Sequence, residues 1–201
     1  MTSAAELGGR CQRPADIRIR AAPAYTLTAR VLHWATALCI FMLLPLGVIS
    51  ANEWGGSLQD SLYDLHRSIG AVVIPLTLLR LIVRWHSPRV PLPNDIPALQ
   101  RQAAHMTHLA LYALLITQPL VGWIATSAYP APIPIFGLFK LPPLWHADRA
   151  LSDRLFSVHE AIGIAIACLV LAHVGAALFH HFVRKDRVIM RMSTRSLRTK
   201  W

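Results

Sequence analysis

The histidines within apolar stretches are the residues of this sequence best able to support chemistry. Residues 157–178 form a nearly uncharged run long enough to cross a bilayer, yet they include His159 and His173. An ionisable side chain in such a span is energetically costly, so it indicates a functional site, although a lone histidine could equally form a hydrogen bond between helices. The two histidines are fourteen residues apart, close to four helical turns, and therefore share one face at two depths.

Histidines in two other apolar stretches supply a partner at each depth. If the spans alternate in direction, His66 lies at the level of His159. His33 then lies at the level of His173. Two imidazoles at each level fit haem iron, which takes two axial ligands, better than zinc, which needs further ligands. Because the chain has no CxxCH motif we expect b-type haem, and because both axial positions are filled we expect electron transfer.

Small residues one turn after these four histidines indicate room for a porphyrin edge, since a residue at i+4 lies over the same helix face. The small residues are Ala37, Gly70, Gly163 and Ala177. Larger residues stand at this spacing after the other histidines near apolar runs, which are His105, His108, His180 and His181.

Three of those other histidines have alternative roles. His180 lies seven residues after His173, which makes it a rival ligand at that level. His105 and His108 open the third apolar run and could bind a quinone carbonyl. An interfacial polar cap is the alternative, and it is favoured for His105.

Four membrane spans would position these histidines. The chain has 201 residues, of which 54% are hydrophobic and only 15% are charged, so it is too apolar for an ordinary soluble domain. Four runs approach the roughly 20 apolar residues that a spanning helix needs. The second run contains Arg80 and Arg84 near one end, where long side chains can reach the headgroups. We predict an all-α, integral membrane four-helix bundle with spans at 31–51, 65–85, 109–128 and 161–179.

The basic residues indicate how this bundle lies in the membrane. The formal net charge is +10, but Lys and Arg gather at the ends of apolar runs, so nucleic-acid binding is not expected. With four spans, 16 of the 20 Lys and Arg residues fall on one side of the membrane, and the positive-inside rule places both termini in the cytoplasm. We divide the chain into a flexible cytoplasmic tail at 1–24, a membrane domain at 25–185 and a basic cytoplasmic tail at 186–201.

The opposite side carries few basic residues and one long loop. Its four basic residues stand against six acidic ones, so attraction of an anion would require a local cluster. Arg67 could bind a haem propionate, but pairing with Asp64 or Glu160 is the favoured alternative. The prolines of 129–156 exclude a continuous helix and predict an extended cover. The four basic residues are Arg67, Lys140, Arg149 and Arg154.

Several spaced motifs resemble those of the bacterial cytochrome b561 family. They are RVLHWATA, YDLHRSIG, LALYALLITQPLVGW, VHEAIG and LAHVGAALFHHFVRKDRVIMRM, in that order over residues 25–192. The resemblance implies a four-helix bundle in the bacterial inner membrane that contacts lipid. It also implies electron exchange with ubiquinone and, in some members, oxidation of superoxide to oxygen. It further implies two b haems bound through iron by His33, His66, His159 and His173.

Three functions of different classes remain open at this stage. The first is a dihaem oxidoreductase that moves single electrons between a periplasmic donor, superoxide being a candidate, and the ubiquinone pool. The second is a membrane-anchor cytochrome b subunit of a larger respiratory or periplasmic redox complex. The third is a haem-free transporter that uses histidines as a proton relay, which the lack of acidic residues within the spans disfavours.

Overall fold

Four long helices account for most of the chain. The computed structural model describes residues 24–52, 55–87, 96–186 and 189–193. Each of the four helices is long and apolar enough to cross a membrane, which confirms the predicted all-α membrane bundle. Of the two predicted tails, residues 1–23, 187–188 and 194–201 lie outside the described residues. The helices are α1 (Leu27–Ala51), α2 (Gly56–His86), α3 (Ala98–Ala128) and α4 (Arg149–Phe182).

All four helices begin earlier than their apolar runs predict, and the difference is largest for α3 and α4. α3 begins at Ala98 rather than near residue 109, and α4 begins at Arg149, so that 149–156 are helical rather than part of the loop. The Asp148 carboxylate starts α4 by accepting a hydrogen bond from the Leu151 amide at 3.0 Å. A helix of 34 residues is about 51 Å long, which exceeds the roughly 30 Å hydrocarbon core. The apolar run therefore identifies only the part of each helix that lies inside the hydrocarbon core.

Proline distinguishes α4 from the other helices. Pro45, Pro75 and Pro119 lie inside α1, α2 and α3 respectively. Each lacks an amide hydrogen and so leaves one helical carbonyl without its partner, which permits a bend. α4 contains no proline over its 34 residues. We therefore expect α4 to be the straightest of the four.

The helices pack as two close pairs. α1 lies against α2, α3 lies against α4, and α2 also contacts α3. Within the described residues α4 makes no comparably close backbone approach to α1 or α2. One buried residue from each helix nevertheless meets at the centre, and we call this set the central layer. It consists of Ile40, Val73, Leu115 and Ile166.

A β-hairpin covers one end of the bundle, which we call the hairpin end. Strands β1 (Ile133–Ile135) and β2 (Phe139–Leu141) pair in antiparallel register, as the predicted extended cover suggested. The hairpin is fixed to α2 by Ser68, whose hydroxyl accepts from the Phe136 amide at 2.9 Å and lies 3.1 Å from the Pro134 carbonyl. The proline-rich loop thus forms a hairpin that packs against α2 at Ser68, two residues after His66.

The other end of the bundle, where α1 begins and α4 ends, is the terminal end. A short 3-10 turn, Ile189–Arg191, follows α4. Trp34 donates from its indole nitrogen to the Met192 carbonyl at 2.9 Å, and the Arg30 guanidinium donates to the Ser193 carbonyl at 2.6 Å. These bonds hold the segment that follows α4 against α1.

Candidate functional site

Inward-facing side chains recur every seven residues on each helix. Seven residues are close to two helical turns, so positions seven before and seven after each central-layer residue fall on the same face. Two further layers result, one on each side of the central layer. The hairpin layer consists of Gly47, His66, Gly122 and His159. The terminal layer consists of His33, Arg80, His108 and His173.

Two imidazoles face each other in the hairpin layer. The ring centres of His66 on α2 and His159 on α4 are 6.2 Å apart, with an angle of 70° between the ring planes. Glycines occupy the two remaining positions. A Cβ atom at Gly47 would lie 3.3 Å from His66 Cε1, and one at Gly122 would lie 2.9 Å from His159 Cε1. The glycines therefore allow each ring to lie directly against a neighbouring helix backbone.

The His159 ring is oriented by α3. Its Nδ1 lies 3.1 Å from the Gln118 carbonyl, and the Gln118 side-chain amide donates to the His159 carbonyl at 2.8 Å. A neutral imidazole that donates from Nδ1 keeps a lone pair on Nε2, which is the usual arrangement for a metal ligand. The contact with the Gln118 carbonyl therefore uses Nδ1 and leaves Nε2 of His159 available for a ligand.

His66 has a ring nitrogen without a partner. Its Nδ1 atom is buried and makes no hydrogen bond of ordinary geometry among the described residues, although the Leu43 backbone is close. An unsatisfied buried polar atom costs about 1–3 kcal/mol. The ring is therefore held in place by packing, Gly47 included, rather than by a hydrogen bond, and it remains available for a ligand.

The terminal layer contains a second facing pair and a closer neighbour. The ring centres of His33 and His173 are 6.3 Å apart, at an interplanar angle of 62°. His108 lies nearer, with its ring centre 5.2 Å from that of His173. Two metal–nitrogen bonds of about 2 Å, plus about 1 Å from each nitrogen to its ring centre, give about 6 Å between ligands on opposite sides of one metal. The His33–His173 pair matches that separation and the His108–His173 pair is too close.

Arg80 takes a different position from the one that its sequence context suggested. Instead of extending to the headgroups, its Nη2 lies 3.1 Å from His33 Nδ1, and its guanidinium lies 5.3 Å from the centre of the Tyr112 ring. Arg84, one turn further on, is exposed and lies 5.9 Å from the same ring. The first arginine therefore belongs to the bundle interior and the second to its edge.

The two levels fit a planar macrocycle better than a bare ion. Across the described ranges, no group of three or more His, Cys, Asp or Glu side chains is arranged to hold a metal ion. The histidine pairs instead join α4 to α1 and α2, where the backbones do not pack closely. A Cβ at Gly70 would meet nothing within 4 Å, as expected for an open edge, whereas at Gly163 it would lie 3.4 Å from Gln118 Nε2.

Other candidates from the sequence make local contacts. Arg67 pairs with Asp64 at 3.3 Å and lies 3.4 Å from the Pro132 carbonyl, which confirms the alternative of an acidic partner. His180 bonds through Nδ1 to the Asp186 carboxylate at 2.5 Å. That interaction occupies one of its two ring nitrogens.

Three residues of these layers were not identified from the sequence, namely Gly47, Arg80 and Gly122. A signal for them is present, because each lies fourteen residues from a histidine on its own helix. The fourteen-residue spacing recognised on α4 thus recurs on the other three helices.

Comparisons with known proteins agree over nearly the whole described region. A family model described as prokaryotic cytochrome b561 matches residues 24–195. Two proteins of Escherichia coli K12 are similar: cytochrome b561 homolog 1 is 31% identical over 85% of this chain and 97% of its own, and cytochrome b561 homolog 2 is 30% identical over 86% and 92%. A Yersinia pestis protein named "Probable superoxide oxidase CybB" is 28% identical over 80% of this chain and 90% of its own.

Proposed function

Because the chain belongs to the prokaryotic cytochrome b561 family, we propose that it binds two b haems and passes single electrons from a periplasmic donor to ubiquinone. Its four spanning helices and its family make it a multi-pass protein of the bacterial inner membrane. Membership of this family also implies haem b, electron transport and a membrane cytochrome. The number of haems, the donor and the quinone are the proposed parts.

One observation carries the proposal. The ring centres are 6.2 Å apart for His66 and His159 and 6.3 Å apart for His33 and His173, so the facing imidazoles have the same separation at both levels. We propose that these four histidines would hold the iron of two haems. Haem held there would supply reversible one-electron chemistry.

The chain's own residues prepare the ligands for that role. The Gln118 carbonyl holds the His159 ring through Nδ1 and leaves Nε2 available for a ligand. Gly122 and Gly47 let the two rings of the hairpin layer approach neighbouring helices. The central layer, with Ile40 and Ile166 among its members, fills the space between the two levels and excludes water from it.

The distribution of charge supports a direction across the membrane. We assign the terminal end to the cytoplasm because 16 of the 20 Lys and Arg residues fall on that side. The hairpin end then faces the periplasm. A donor such as superoxide would lose one electron there and leave as oxygen. Two such electrons and two protons convert one ubiquinone to ubiquinol at the other end.

Two of the four basic residues at the hairpin end already have acidic partners. Arg149 pairs with Asp153 at 3.2 Å and lies 4.5 Å from the centre of the Tyr129 ring. Arg67 is paired with Asp64. Because paired charges attract a distant anion weakly, Arg67 and Arg149 would add little to long-range steering of a superoxide donor, and any such steering would come from Lys140 and Arg154.

Spectroscopy and rapid mixing test the proposal in two stages. The purified protein should show a reduced b-type absorption band and a haem-to-protein ratio near two. Mixing the oxidised protein with superoxide should reduce the haem, and added ubiquinone should then reoxidise it. A protein without haem would overturn the proposal as a whole. A dihaem protein that superoxide does not reduce would leave the membrane-anchor role in its place.

A further inference from the structure

Arg80 places a positive charge inside one of the two layers. Its guanidinium lies between the His33 ring, at 3.1 Å, and the Tyr112 ring, at 5.3 Å to the centre. The side chain is half-buried on the inward face of α2. Among the described residues, no carboxylate lies within ion-pair distance of it. The charge is therefore not neutralised by this part of the chain.

The hairpin layer has no unpaired charge at its own four positions. Its two positions not occupied by histidine are Gly47 and Gly122. The basic residue nearest in sequence, Arg67, is close enough for its charge to act on His66, but that charge is paired with Asp64, and the guanidinium also contacts the Pro132 carbonyl of the loop before the hairpin. The two levels thus match in ligand geometry but differ in fixed charge.

A fixed positive charge favours the reduced state of a redox centre beside it. Reduction adds one negative charge, and the half-buried site weakens solvent screening of its attraction to a guanidinium. Charge in the shell around a metal site is one of the means by which a protein sets its reduction potential. The effect has the same sign if the guanidinium contacts a haem carboxylate, because removal of the arginine then leaves that anion uncompensated.

The contact with His33 is not required for this effect. Arg80 can only donate hydrogen bonds, so His33 Nδ1 accepts in this arrangement. A neutral ring that binds a metal through Nε2 carries its proton on Nδ1 and can no longer accept there. Tyr112 and the position of Arg80 on α2 still keep the guanidinium within the layer.

We propose that Arg80 raises the reduction potential of the haem site in the terminal layer above that in the hairpin layer, and so gives electron flow through the bundle its direction. The inference rests on the proposed dihaem function. In the step that it favours, one electron leaves a reduced centre at the hairpin level and reaches an oxidised centre at the terminal level. No bond is made or broken, and no proton is transferred. Arg80 is a positioning residue in this scheme and does not contact the electron donor.

Potentiometric titration of the holoprotein, followed by its haem absorption, tests the assignment. Arg80→Gln should lower the higher of the two midpoint potentials and leave the lower one unchanged. When the protein holds a single electron, the ratio of molecules with that electron at the hairpin level to those with it at the terminal level should rise by about tenfold to a hundredfold. This factor is expected for unit charges about 7–10 Å apart at an effective dielectric of about 20. Arg80→Lys, which keeps the charge, should retain most of the wild-type difference.

Arg84→Gln is the matched control. It removes the same type of side chain from the same helix and from beside the same Tyr112 ring, but at an exposed position, where solvent screens the charge. We expect it to change neither potential by more than a small fraction of the Arg80→Gln shift.

Four outcomes would overturn the inference while leaving the dihaem function intact. They are an unchanged pair of potentials in Arg80→Gln, a shift of the lower potential only, equal shifts in Arg80→Gln and Arg80→Lys, and equal shifts in Arg80→Gln and Arg84→Gln. If Arg80→Gln binds one haem fewer, the haem content and potentials of Arg80→Lys test the role of the charge instead. Two haems with wild-type potentials in the lysine variant support the role of the charge, and loss of the same haem from both variants contradicts it.

Discussion

Gly122 on α3 lies directly against the imidazole of His159 on α4, so closely that a Cβ at position 122 would be 2.9 Å from Cε1 and 3.1 Å from Nδ1. The same ring atom, Nδ1, contacts the Gln118 carbonyl one turn earlier on α3. One face of α3 therefore sets both the position and the tautomer of this imidazole. That relationship leads to the first prediction.

Gly122→Ala should displace the His159 ring and weaken haem binding in the hairpin layer. The added methyl group overlaps atoms of the His159 ring, which the Gln118 carbonyl also holds in place, and overpacking of this kind costs about 1–3 kcal/mol. We expect the haem-to-protein ratio to fall from two toward one. Gly175→Ala is the matched control, because a Cβ there meets nothing within 4 Å, and its ratio should stay near two. Equal ratios in both variants would contradict the importance of this contact.

Substitution of either histidine of a facing pair should cause loss of the same haem. His66→Ala and His159→Ala should lose the same haem and keep the other, since their ring centres are 6.2 Å apart. The complementary variants at His33 and His173 should lose the second haem. Haem content and the spectrum of the remaining haem identify which one is lost. Loss of different haems from the two members of one pair would refute the pairing.

His108→Ala should retain both haems. Its ring centre is 5.2 Å from that of His173, which is shorter than the separation of about 6 Å expected for two ligands on opposite sides of one metal. We expect a haem-to-protein ratio near two, with a changed spectrum or potential at one haem. If His108→Ala loses a haem that His33→Ala keeps, then His108 rather than His33 is the partner of His173.

Ser68→Ala should loosen the hairpin without unfolding the bundle. It removes the hydroxyl that accepts from the Phe136 amide and lies beside the Pro134 carbonyl, at a cost of about 1–2 kcal/mol. Tryptic cleavage after Lys140 in β2 should become faster than in the wild type. Ser61→Ala, which removes only an exposed bond to the Ser57 carbonyl within α2, should be cut at the wild-type rate.

The sequence was sufficient for the number of spans and for which histidines face each other at the same level. Fourteen residues between His159 and His173 define two levels on one helix, and alternation of direction supplies the partners. The four helices confirm that reasoning for the fold. The distances of 6.2 and 6.3 Å bring the expected pairs together, and their role as ligands stays a prediction.

The remaining features depend on contacts between helices, which spacing along one helix does not reveal. Gly122 is informative only when the ring of another helix lies against it. Arg80 was expected at the headgroups because charge is costly in lipid, but the direction of its side chain is set by the inward face of α2 and by Tyr112. The start of α4 at Arg149 depends on a cap outside the apolar run.

The proline-free α4 has a consequence for how the protein responds to its surroundings. His159 and His173 lie on one continuous helix, so the distance between the two levels along the helix axis, about 21 Å for fourteen residues, is a property of that helix alone. Thinning of the bilayer or bending of α1 to α3 at their prolines can alter how closely each partner approaches, but it leaves this spacing constant. Inserting a single residue between the two histidines would rotate one of them by about 100° and point it away from its partner.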